Sequence, residues 1–111
     1  METKSEFVNQ LEEIKELYCG KNIQNQDIIQ SHSLEILLSY SSNTELIEFL
    51  YSDDIFLKHI VGTIKAEKGM SLKALLFLVN ISSNEKISEK LIQIGIFSLI
   101  HSMIFEFMKN L

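Results

Sequence analysis

Leu72-Lys73-Ala74-Leu75-Leu76-Phe77-Leu78-Val79-Asn80-Ile81-Ser82-Ser83-Asn84 is the stretch that decides the fold. Between Leu72 and Val79 only Lys73 is polar, so a helix built from this run has almost no polar face and must be enclosed by neighbours. The run breaks at Ser82-Ser83-Asn84, and Glu85 stands three residues after Ser82. At that spacing a hydroxyl and a carboxylate satisfy each other's free backbone N–H groups at a helix start. The same order occurs earlier, where Leu34 to Tyr40 leads into Ser41-Ser42-Asn43 and Glu45 stands three residues after Ser42. Ser-Ser-Asn thus recurs at an offset of 41, and Ile64 and Ile104 at 40.

Working outward, Phe7, Leu11, Ile14 and Leu17 recur at helical spacing among acidic and basic residues and predict an amino-terminal helix over 5–19. Gly20 suits the left-handed conformation past a helix end, and Lys21 to Asn25 read as a connector. A second helix starts near Gln26, a third carries Leu46, Phe49 and Leu50, and Asp53-Asp54 separates it from a fourth through Phe56, Ile60 and Ile64. Lys65 to Gly69 read as a polar connector. Beyond the deciding stretch, Ile87 and Leu91 mark a short helix that Gly95 breaks. Ile96, Ile100, Met103, Ile104, Phe107, Met108 and Leu111 then form a last amphipathic stripe, with His101 on its polar flank.

Composition agrees with helices: the 111 residues include no proline and only four glycines. A period of about 40 residues with three helices is that of armadillo and HEAT-like solenoids. The expected fold is all-α, an armadillo/HEAT-like superhelical repeat of about two units, 26–64 and 70–108, after the helix at 5–19. Such units bury their faces by stacking.

Charge narrows the function. Ten lysines, no arginine and fifteen acids leave a net charge of −5, which argues against nucleic acid, whose phosphates are held by clustered positive charge and planar guanidinium forks. The first residues hold no signal-peptide core, and a single cysteine, Cys19, cannot form an internal disulfide, so a cytoplasmic protein is expected. Leu91 to Met108 is the most membrane-like stretch, but Gln93, His101 and Glu106 would be costly in lipid, so no membrane partner is expected. His32, His59 and His101 are dispersed; no metal-ligand spacing, phosphate-binding glycine loop or nucleophile motif occurs, and neither cofactor nor enzymatic activity is expected.

Ala74 to Asn84 with Leu91-Ile92-Gln93-Ile94-Gly95-Ile96-Phe97 resembles an armadillo repeat, including the Asn near the end of the buried helix and the Gly before the long one. From Leu11 to Ile104 the arrangement is similar to the amino-terminal part of the brain-protein-sixteen-like family. The segments that carry this resemblance are Leu11 to Leu17, Ser33 to Ser41 and the Leu78-Val79-Asn80-Ile81-Ser82 run. The resemblance implies an adaptor that assists folding of translation elongation factor two with the cytosolic chaperonin. In peptide-binding armadillo proteins the Asn at the position of Asn80 holds the ligand backbone. Here the preceding repeat has Ser39 at that place, and Leu76 replaces the usual Trp four residues before Asn80, which weakens an importin-like reading. Asn80, Ser39 and Leu76 are nonetheless candidate protein-binding residues.

Phe105, Phe107 and Met108 form a second candidate surface, because Phe and Met repack readily against varied partners. The chain stops with this apolar stripe still running, where a solenoid normally carries a polar cap. Two expectations follow: a fragment of a longer solenoid, or a small helical protein that self-associates through its carboxyl-terminal helix.

Overall fold

The computed structural model describes residues 5–20, 24–66 and 68–109, with the side chains of 65, 66, 68–71 and 107 outside that description. These residues form seven helices and no strand: α1 (Glu6–Cys19), α2 (Gln26–Ser39), α3 (Thr44–Ser52), α4 (Asp54–Ala66), α5 (Lys68–Ile81), α6 (Glu85–Ile94) and α7 (Ile96–Lys109). The all-α expectation is met. The supposed connector at Lys65 to Gly69 shrinks, because α4 runs to Ala66 and α5 resumes at Lys68.

Helix starts are set by local polar chemistry, though not by the residues expected. Asn43, not Ser42, caps α3: its Oδ1 accepts from the backbone N–H of Glu45 at 2.8 Å and of Leu46 at 3.3 Å. Asn84 does the same for α6, accepting from Ile87 at 3.1 Å. A side-chain amide oxygen one residue nearer the helix reaches these donors, so the preceding serines turn back instead. Ser82 donates to the carbonyl of Val79 and Ser83 to that of Asn80. Glu45, released from the expected box, accepts from Ser5 at 2.5 Å, where Ser5 itself caps α1.

The end of α1 is a second correction. Gly20 is extended (φ −62°, ψ 143°), not left-handed. The free carbonyls of Leu17 and Tyr18 are taken by side chains from α2, with the Gln26 amide donating to both and the Gln30 amide to Tyr18. No left-handed turn is needed there. Gly95 does adopt one, at φ +102°, and bends α6 against α7 by 66°. The apolar stretch of the last third is therefore two helices at an angle, and among the described residues no single helix is long and apolar enough to cross a membrane.

One contiguous core joins the helices. Leu34, Leu37, Leu46, Leu50, Phe56, Leu57, Ile60, Phe77, Ile81 and Ile87 are fully enclosed. Leu46 and Leu50 of α3 correspond to Ile87 and Leu91 of α6 at the offset of 41, and all four are buried. Helix α2 packs on α5, α3 on α6, and α4 on α7. Within this arrangement α4 and α5 form the most extensive pair. The result is elongated, 55 × 36 × 21 Å, with a radius of gyration of 14.4 Å against ~13 Å for a compact chain of this length.

Candidate interaction surface on helices α5 to α7

Helix α7 is apolar on two adjacent sides. Ile96 and Leu99 are buried, with Ile100 and Met103 packed partly against the core. Phe97, Ile104, Phe105 and Met108, at helical spacings of seven, one and three, face outward and are 66 %, 54 %, 56 % and 63 % exposed. The single stripe expected from the sequence is thus split, with its inner part used and a second part left open. His101, expected on the polar flank, stands one turn after Phe97 and one turn before Phe105, within the exposed apolar arc. Ser98, Ser102, Glu106 and Lys109 occupy the polar side.

Helix α5 continues the surface. Leu72, Leu76 and Val79 are exposed on one side, while Ala74, Phe77, Leu78 and Ile81 face inward. Between α5, α6 and α7 runs a groove of about 250 Å³, lined by Leu75, Val79, Leu91, Ile92, Phe97 and Ile100 among others, with Ser82 and Ser88 the polar members among the described residues. The hydroxyl of Ser88 donates to the carbonyl of Ser82, so that polarity is spent internally. The groove lacks the convergent polar groups that orient a small reacting molecule, whereas an exposed apolar strip of this extent suits contact with another protein surface.

The candidate residues from the sequence fall around this groove without forming it. Asn80 and Leu76 are exposed on α5, and Ser39, exposed on α2, donates its hydroxyl to the carbonyl of Ile36 at 2.6 Å. Phe105 and Met108 belong to the outward arc of α7, whereas the side chain of Phe107 lies outside the described residues. Among the described candidates, none lines the groove. The groove residues Val79, Ile92 and Phe97 were missed because each sits in a run that reads equally well as core. Their exposure is decided by the absence of a covering helix, which periodicity alone does not register.

The surroundings are electrostatically quiet. Lys86 and Lys90 of α6 stand over the ring of Tyr51 at 5.4 and 5.2 Å, and Lys109 over Phe105 at 5.5 Å. Lys73 bridges from α5 to Glu35 and Ser31 of α2, and its hydrogen bond to Glu35 holds that carboxyl below the usual carboxylate range. His32 and Glu35 approach to 3.8 Å on the exposed side of α2. Among the described residues no three His, Cys, Asp or Glu side chains converge as metal ligands. Burial pushes the half-buried Cys19 thiol up, away from the reactive thiolate, although Lys15 pulls the other way.

Comparison with protein-family models, with curated proteins and with solved structures found no match.

Proposed function

We propose that this chain is a small, non-catalytic helical protein that works inside the cell by self-association, pairing the outer face of α5 and α7 with a second copy. The observation that carries this reading is the exposed apolar arc Phe97, Ile104, Phe105 and Met108 beside the groove. Leaving such a strip in water costs about 25 cal/mol for each Å² of apolar surface that a partner would cover. Sedimentation velocity across a hundredfold range of concentration tests it. The expected result is a mass that rises with concentration and that Phe105→Asp returns to the monomer, and a concentration-independent monomer would end the reading.

A second reading is favoured by a different observation. The packing of α2 on α5, α3 on α6 and α4 on α7 supports an armadillo-like stack with units over 26–64 and 70–108. On that reading the chain is a binding scaffold of the elongation-factor adaptor kind, and the exposed Asn80 and Leu76 of α5, with Ser39 of α2, would meet a client. Purification of the protein from its own cells tests this reading. Recovery of elongation factor two or chaperonin subunits, lost on Asn80→Ala, supports the adaptor role, and their absence removes it.

A further inference from the structure

We infer that the pairing of two copies is switched by a proton on His101: the pair holds while this ring is neutral and separates when it is charged. This rests on the self-association reading and adds its regulation.

His101 is exposed on α7 and shares one face of the helix with Phe97 and Phe105, a turn to either side, and with Ile104 and Met108, three and seven residues on. Those four side chains are the exposed apolar arc, so a copy that covers the arc also covers the ring at its centre. No other member of the arc titrates. On the polar side of α7, Glu106 and Lys109 approach each other to 3.8 Å. Helix α7 packs on α4 and α6. On α4, Lys58 pairs with Asp54 at 3.5 Å, and the backbone carbonyl of His59 accepts from Thr63. On α6, Lys86 and Lys90 stand over Tyr51, with Glu85 and Glu89 between and beside them in sequence. Among the described residues no hydrogen bond or ion pair from any of these groups reaches the imidazole.

A second copy suits this face in charge. Residues 85–111, which hold α6 and α7, carry three acids and three lysines, so the excess of five acids lies wholly within residues 1–84. A surface that meets itself must not repel itself, and the side-chain charges here cancel until His101 takes up a proton. An imidazolium carried into an apolar contact loses its water and gains no counter-charge, and a pair of copies brings two of them. The pair therefore binds fewer protons than its separated halves. Association must weaken as pH falls through the range in which histidine titrates.

Sedimentation equilibrium of the full chain tests this, with circular dichroism following the helices under each condition. Expected is a dimer whose Kd rises roughly tenfold or more from about pH 8 to about pH 5.5. His101→Gln, which keeps a polar side chain but cannot titrate in that range, should dimerise with the same Kd at both ends of it. His101→Lys should be monomeric at both. His32→Gln and His59→Gln, which remove the histidines outside the arc, should keep the pH dependence. A dimer whose Kd does not change with pH overturns the switch and leaves self-association standing. A His101→Gln protein that keeps the pH dependence does the same. A chain that is monomeric throughout removes self-association and the switch with it.

Discussion

The phenol of Tyr18 and the hydroxyl of Thr63 form a buried hydrogen bond that ties α1 to α4. The direction is set by a third group: Thr63 donates to the carbonyl of His59 at 3.0 Å, so Tyr18 must donate to Thr63. Its ring meets Phe56 edge to face at 5.6 Å. Tyr18→Phe keeps the ring contact and leaves the Thr63 oxygen without its donor, and should cost about 1–2 kcal/mol in urea denaturation.

The same phenol makes alkaline stability predictable. Burial first, opposed by the Thr63 hydrogen bond, pushes Tyr18 up from 10.0 to about 12. The unfolded chain therefore releases this proton more readily than the folded one. Stability from this group is fully present below pH 10 and is lost as pH rises towards about 12. Urea midpoints measured over that range should fall more steeply for the unmodified protein than for Tyr18→Phe.

Asp53 has two duties at the α3–α4 junction. One oxygen accepts from the backbone N–H of Ile55, and the other pairs with Lys15 of α1. The Lys15 hydrogen bond, together with that of Ile55, holds its carboxyl below the ordinary 3.8. Its contribution is present above that value and disappears as pH falls through the lower, folded value. Asp53→Asn keeps a cap and loses the ion pair. Asp53→Ala loses both and should be about 1 kcal/mol less stable than Asp53→Asn at neutral and acid pH alike, whereas the unmodified protein should lose its advantage over Asp53→Asn as acid protonates Asp53. Parallel acid titrations of ellipticity for the three proteins check this.

Asn43 and Asn84 occupy equivalent caps. Replacing either by Ala should cost about 1 kcal/mol, whereas Ser42→Ala and Ser82→Ala should cost clearly less, since neither serine caps its helix. Thermal melts of the four single variants rank them directly.

Gly95→Ala separates backbone strain from crowding. A Cβ at Gly95 would meet nothing within 4 Å, yet φ is +102°. The substitution should destabilise by about 1–2 kcal/mol from backbone strain alone. Gly95→Asn, which tolerates left-handed backbone better, should recover part of the loss in the same melts.

How much of this was legible beforehand varies by level. Helix number and most helix centres follow from apolar spacing, as Leu46 and Leu50 against Ile87 and Leu91 illustrate. Capping was misassigned because Ser-x-x-Glu and Asn-x-x are both valid starts one residue apart, and only the competing bond from Ser82 back to Val79 reveals the choice. Gly20 misled because the groups that replace a left-handed turn, Gln26 and Gln30, belong to the following helix. The exposed apolar surface was legible at Leu76, Phe105 and Met108. Phe97 and Val79 read as core residues, and a tertiary neighbour, or the lack of one, decides which of two apolar faces a helix buries.

Helix α7 packs chiefly on α4 and α6, whereas α4 packs on α1, α3, α5 and α7. A helix packed against fewer neighbours opens at lower free energy. The amides of α7 should therefore exchange with solvent through local opening while those of α4 wait for global unfolding. Anything that covered the outer face would then slow the exchange of a whole helix, so the protection of α7 would report its occupation.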